Sequence, residues 1–332
     1  MRRCNNNNIL EGMNLISTAG DIVKSINLSL LSYKPPSIEE TGHEICYLGI
    51  NGENDHNSVT YCNDLPIGQR AMVGSWYLHP ERHVIEYIVY VSVSLLLICT
   101  ILPTLSRYPK NKADNMKIPL PMKLLTGFIY TTQLIYKLND YPGKWTFMMM
   151  PCNAVWTMWT ILCFIPLSTQ VMHIMHQLII PYTGLALVAL ATPDTSDLLM
   201  YMEVPFFFFM HAVLPLYPLY FLRSSKITVL ATNNDNDSDT GIVSNFIKMW
   251  ILACAYFALF YFGIVTPVSL KYGLNINYML SPPPTPGDLV GGPNYRFQST
   301  LCCGSLFFFI SFLVTVKEVV TASSDKTQKK IV

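Results

Sequence analysis

The chain is poor in charge. Only 13% of its 332 residues are Asp, Glu, Lys or Arg, about half the share usual in a soluble domain. That excludes an ordinary water-exposed globule. The net charge is +1, so no basic surface exists to hold nucleic acid, and no nucleic-acid partner is expected. The first twenty residues, "MRRCNNNNILEGMNLISTAG", carry charge but no apolar run, which predicts no cleaved leader. His43, Cys46, His56 and Cys62 match no tight metal-ligand spacing, and no acyl-coenzyme A motif is visible. No metal and no cofactor are therefore expected. Internal repeats of the transporter kind are lacking too. So are the charged triplet and the Asn-Pro-x-x-Tyr run that would favour a seven-span receptor.

Apolar residues are what the chain has in plenty, at 51%. They fall in blocks of roughly 17 to 25 residues, the length that crosses a bilayer as a helix. Seven blocks are expected as spans, at roughly 84–106, 120–138, 146–166, 171–192, 199–222, 245–268 and 300–319. The second is the least apolar, with Lys123 and Lys137 at its ends, where lysines can snorkel. Pro151, Pro181, Pro205, Pro215, Pro218 and Pro267 fall inside these blocks. Each frees a backbone carbonyl and predicts a kink. The expected fold is all-α, a polytopic membrane helical bundle of about seven transmembrane helices with several proline kinks. Residues 1–80 read as a polar, loosely ordered extension, 81–320 as the transmembrane domain, and 321–332 as a cytosolic tail.

Orientation follows from Lys and Arg in the short loops. Arg107, Lys110, Lys112, Lys117, Arg223, Lys226, Lys326, Lys329 and Lys330 lie on one side. The other side has Lys144, Asp194, Asp197, Lys271 and Arg296. The amino end is then lumenal and the carboxyl end cytosolic. The last four residues, "KKIV", match a dilysine retrieval signal. Such a signal is an address read by a receptor. It predicts an endoplasmic reticulum membrane protein whose Lys329 and Lys330 meet the coat-protein retrieval machinery.

Cys99, Cys163, Cys254, Cys302 and Cys303 read as small buried hydrophobes. Cys46 and Cys62 fit a lumenal disulfide. His173 and His176 share a helical face and are expected at a wet interface rather than on a metal. Asn27 lies in a lumenal glycosylation pattern, and Asn236 in a cytosolic, silent one.

Two residues stand apart. His211 lies about twelve residues into the fifth block, and an ionisable group at that depth is a functional candidate. Cys152 lies about six residues into the third block. An apolar setting leaves a thiol inert unless a base adjoins it. The third and fifth spans run in one direction, so the two residues share the lumenal half of the bilayer at similar depth. Pro151 is expected to bend the third span just before the thiol. A packed thiol and an unrelated histidine are the other reading of the same residues.

The blocks "PCNAVWTMWTILCF", "TGLALVALATPDTSDLLMYMEVPFFFFMHAVLPLYPLYFL", "INYMLSPP" and "GGPNYR" resemble the transmembrane protein 164 family in order and spacing, over about residues 120–310. That resemblance implies a membrane acyltransferase of the endoplasmic reticulum. It implies remodelling of polyunsaturated ether phosphatidylethanolamines, and so a link to lipid peroxidation and ferroptosis. It implies a catalytic cysteine at Cys152 and a histidine at His211, with Gly184, Glu203, Asn277, Tyr295 and Arg296 as further matched positions. Of these Glu203, Asn277, Tyr295 and Arg296, together with Asn153, are expected to bind substrate or support the site. The chain departs from the family pattern at Asn153, where histidine is common, and at Trp159 and Thr183. The implied chemistry is attack of Cys152 on a donor phospholipid, a thioester, and its resolution by a lysophospholipid hydroxyl. Asn153, or a backbone N–H freed by the bend, would steady the oxyanion. Two rivals remain open at this point: a lipid hydrolase, in which water resolves the thioester, and a non-catalytic lipid-binding or transport protein.

Overall fold

The computed structural model describes Thr18 and residues 80–105, 118–140, 144–195, 198–223, 239–272, 275–280 and 294–331. The expectations for residues 1–79, for the Cys46–Cys62 disulfide and the His43/His56 alternative, and for Asn27 and Asn236 lie outside the described residues. So do those for the loop charges from Arg107 to Lys117 and for Lys226.

All described secondary structure is helical. The elements are α1 (Pro80–Ile101), α2 (Leu120–Leu138), α3 (Pro151–Phe164), α4 (Thr169–Tyr182), α5 (Gly184–Ala191), α6 (Glu203–Val213), α7 (Leu216–Arg223), α8 (Asp239–Phe260), α9 (Thr266–Tyr272) and α10 (Tyr295–Ile331). A π-turn at Tyr261–Val265 joins α8 to α9, and short 3-10 turns lie at Leu102–Thr104, Lys144–Met149 and Ile276–Tyr278.

Four stretches are long and apolar enough to cross a membrane: Arg82–Thr104, Gln170–Ala191, Val243–Lys271 and Tyr295–Lys317. They correspond to the first, fourth, sixth and seventh expected spans. The other three differ for local reasons. α2 keeps its expected bounds, but its buried face is Thr126, Ile129, Gln133 and Lys137, which lowers its hydropathy. Lys137 does not snorkel; it is buried against a carboxylate on α6. The third span is cut to 14 residues because Pro151 begins α3 rather than bending it. Proline suits the first helical position, where no N–H is needed and its φ is already helical. The fifth span is broken into α6 and α7 around Pro215. Pro205 and Pro218 also fall in first turns; Pro181 sits inside α4 near its end, and Pro267 follows the π-turn within the continuous stretch Val243–Lys271. Proline here sets where segments begin more than it bends them.

The chain divides into two compact units. The first holds the start of α1, residues 140–147 and the run 258–299. In it, Arg296 at the start of α10 is buried and donates to Glu86 Oε2 at 2.7 Å, to His83 Nδ1 at 2.8 Å and to the Met279 carbonyl. Arg82 joins Glu86 Oε1 at 2.8 Å and Asn294 at 2.9 Å. Lys144, expected among the loop charges, is fully buried and paired with Asp140. An ammonium inside protein is tolerated only with such a partner. Asn277 and Tyr278 have φ of 49° and 59°, left-handed values that asparagine accepts more readily than tyrosine.

The second unit holds the rest of the described helices. α3 packs on α2, α4 and α5, while α6 packs on α5 and α7. Trp156, Trp159, Ile179, Leu214 and Phe307 are its buried core. Gly184 is needed at the start of α5. A Cβ there would lie 3.0 Å from Ile310 Cγ1 and 3.2 Å from Leu306 Cγ on α10.

Candidate active site

The second unit is sewn together by a polar seam along α2. At one end Thr126 meets Cys163 Sγ at 3.6 Å and the Tyr217 hydroxyl at 3.0 Å. Two turns on, Gln133 Nε2 donates to Met210 Sδ at 2.8 Å. One turn further, Lys137 Nζ donates to Glu203 Oε1 at 3.1 Å. The spacing of Thr126, Gln133 and Lys137 keeps all three on one face of a 3.6-residue helix. Glu203 opens α6, where a carboxylate meets the positive end of the helix. Its Oε2 also accepts the Met200 N–H at 3.2 Å. The preceding Met202 holds φ of 64°, a left-handed value unusual for a side chain of that size.

Cys152 precedes Cys163 by as many residues as Lys137 follows Thr126. On antiparallel helices this puts Cys152 across from Lys137 and Trp156 across from Gln133. Cys152 is buried, its sulfur a free thiol. It is the second residue of α3, behind the extended Met150 and Pro151. The N–H groups of a helix's first turn have no intrahelical acceptor. Cys152 and Asn153 are first-turn residues of α3, at the positive end of its dipole. Asn153 is buried one residue further on.

His211 is buried in the last turn of α6. Its Nδ1 lies 2.7 Å from the carbonyl of Phe207, and its ring packs against the Phe207 ring at 4.0 Å. A carbonyl only accepts, so Nδ1 carries the proton. The lone pair is then on Nε2, the form of imidazole that accepts a proton. Tyr217 packs against Trp156 and Trp159, with ring centroids 5.3 and 5.1 Å apart. Cys152 lies one turn before that contact and His211 rather under two, about 6 and 9 Å along their helices. Among the described residues no hydrogen bond joins the two.

The matched positions fall in both units. Gly184 and Glu203, with the departing Asn153, lie with Cys152 and His211 in the second, whereas Asn277, Tyr295 and Arg296 lie in the first. His173 and His176 are buried, not at a wet interface. His173 Nε2 meets the Gln177 amide at 2.7 Å, and His176 packs edge-on to Trp159. No group of metal-ligating side chains occurs among the described residues. Cys99 and Cys302 are exposed rather than buried, and on apolar helices that surface suits lipid. Sequence reading missed Gln133, Lys137 and Trp156 as parts of the seam. The signal was present in the 4-residue step from Gln133 to Lys137 inside an apolar block.

Helices without strands among the described residues, apolar spans and a polar seam of buried charge define a multi-pass helical membrane protein. Family comparison agrees: the chain belongs to the TMEM164 family, which matches residues 77–316. No curated protein and no solved structure matches it.

Proposed function

We propose that the chain is a membrane acyltransferase of the endoplasmic reticulum, with Cys152 as nucleophile and His211 as base. It moves a polyunsaturated acyl chain from a phospholipid onto a lyso (ether) phosphatidylethanolamine. The observation that carries this reading is the tautomer of His211, whose Nδ1–H is committed to the Phe207 carbonyl. That leaves Nε2 as a base inside an apolar unit that also buries a free thiol at a helix start.

In the first step Nε2 takes the Cys152 proton and sulfur attacks the donor's ester carbonyl. The sulfur–carbon bond forms, the ester carbon–oxygen bond breaks, and the imidazolium returns its proton to the departing lysolipid oxygen. In the second step Nε2 takes the proton of the acceptor hydroxyl, whose oxygen displaces the thiolate. The thiolate regains a proton, and the ester count is conserved. The first-turn N–H groups of α3 and the Asn153 side chain serve the oxyanion. The reaction requires Sγ and Nε2 to close to hydrogen-bond reach with substrate present, and unliganded sites are often looser. α6 is the segment able to close. It is short and bounded by Met202 at one end and the break before Pro215 at the other.

We read seven spans. The starts of α1 and α10 are joined by Arg82–Asn294 and Glu86–Arg296, which supports entry of both helices from one side. The chain between them, α1 included, then crosses an even number of times, and α10 makes the total odd. The four apolar spans alone would make it even; α2, α3 and the α6–α7 pair supply the other three. An odd count separates the ends and leaves "KKIV" in the cytosol for coat-protein retrieval.

The test is lipid remodelling in cells lacking the native protein, at equal expression. Cys152→Ala and His211→Ala each abolish acyl transfer, and the double variant is no worse than either single. Full activity of Cys152→Ala ends the proposal.

A further inference from the structure

Two polar atoms of the seam have no hydrogen-bond partner although they are fully covered: the indole Nε1 of Trp156 and the amide Oε1 of Gln133. Trp156 is 0% exposed and Gln133 2%. Leaving such a group unsatisfied costs about 1–3 kcal/mol, and proteins keep the cost chiefly where a ligand or water answers it. One atom is a donor and the other an acceptor, yet they are not bonded to each other. They belong to facing turns of α3 and α2, by the register that Thr126 and Cys163 set. Trp156 follows Cys152 by one helical turn on the same face. Side chains on a helix lean toward its N-terminus, which tilts the indole over the turn that carries the thiol. Gln133 donates an amide hydrogen to Met210 Sδ, a weak acceptor on a flexible side chain that a ligand can push aside.

We propose that Trp156 and Gln133 form a two-point polar site for a glycerolipid. The indole N–H donates to the carbonyl oxygen of an acyl ester, and the amide oxygen accepts from a free glycerol hydroxyl. The lipid class rests on the acyl-transfer reading above; the site itself rests on the two unanswered atoms. An ester held by Trp156 has its carbonyl near Cys152. A hydroxyl held by Gln133 sits beside Met210.

The experiment uses the full chain in detergent, with Cys152→Ala throughout so that nothing turns over. Three lipids are titrated: 1-acyl lysophosphatidylethanolamine, which has ester and hydroxyl; its 1-alkyl counterpart, which has the hydroxyl only; and diacyl phosphatidylethanolamine, which has esters only. Trp156→Phe keeps the ring against Tyr217 but lacks the N–H, and Gln133→Leu keeps the volume. Trp156→Phe weakens the two ester-bearing lipids by about fivefold to tenfold, the worth of one hydrogen bond, and leaves the alkyl lipid unchanged. Gln133→Leu weakens the two hydroxyl-bearing lipids by the same factor and spares the diacyl lipid. Without lipid, Gln133→Leu does not lower the melting temperature, whereas Trp156→Phe lowers it by the buried packing it removes. Equal weakening of all three lipids, or of none, overturns the site. So does a marked loss of lipid-free stability in Gln133→Leu, which means that protein or an ordered water already satisfies its amide oxygen. Lipid discrimination as described, with no acyl group ever found on Cys152, would instead remove the catalytic reading and leave this site standing.

Discussion

Lys137 and Glu203 are the pair on which the polar seam turns. Both are buried, and both charges lie where water does not reach. Burying two ions is costly, and their attraction repays the cost only while both are present. Lys137→Met alone therefore lowers stability by about 3–5 kcal/mol, because it strands a carboxylate. Lys137→Met combined with Glu203→Leu recovers most of the loss. Thermal unfolding of the four proteins of this cycle in one detergent measures it. Additive losses contradict the pairing. Lys137 was legible in the sequence as a charge at the edge of a span, but its partner was not. Snorkelling and pairing give the same local pattern, and only the antiparallel run of α2 past α6 decides between them. His211 was legible as a deep ionisable residue. Its tautomer was not, since that depends on a carbonyl in its own helix coming within 2.7 Å.

At the scale of elements, proline was easy to see and hard to interpret. The sequence marks Pro151 inside an apolar block, and block length alone favours a long bent helix. The structure begins α3 at Pro151 instead. Methionine and phenylalanine on both sides hide the boundary, because a 3-10 turn and a helix bury the same apolar residues. Pro151→Ala is accordingly mild, changing stability by less than about 1 kcal/mol, since a first helical position needs no ring. A loss of about 3 kcal/mol or more in thermal unfolding would contradict that placement. Gly184 is the opposite case. Gly184→Ala puts a methyl 3.0 Å from Ile310 and costs about 1–3 kcal/mol by overpacking. Ile310→Ala in the same chain relieves the clash at the expense of a cavity, so the double variant loses less than the two singles combined. Additive losses would show that α5 and α10 do not touch there. The bounds of α2, by contrast, were readable directly, because Leu120 follows Pro119 and Asn139 ends the run.

For the whole molecule, the membrane class was carried by composition, and the family by the order of four motif blocks. The number of spans was carried by neither. Hydropathy finds four long helices, and the seven-span proposal adds the three shorter segments that carry the buried Thr126, Gln133, Lys137, Glu203 and His211. Buried polar side chains in those segments are what lower their hydropathy. The seven-span proposal puts the two ends on opposite sides. A tag after residue 332 is therefore cut by protease without permeabilising the membrane, and a tag before residue 1 only after it. Both tags cut under one condition would contradict the parity set by the starts of α1 and α10.

The central claim is that Cys152 carries the acyl group, and peptide mass analysis of the protein isolated from lipid-replete membranes tests it most directly. The account predicts a long polyunsaturated acyl chain in thioester linkage on the peptide containing Cys152. Hydroxylamine releases it, Cys152→Ala removes it, and Cys163→Ala, the same residue type in the same helix, leaves it in place. An unmodified Cys152 under conditions of active lipid remodelling, or an acyl group found equally on Cys163, would contradict the account.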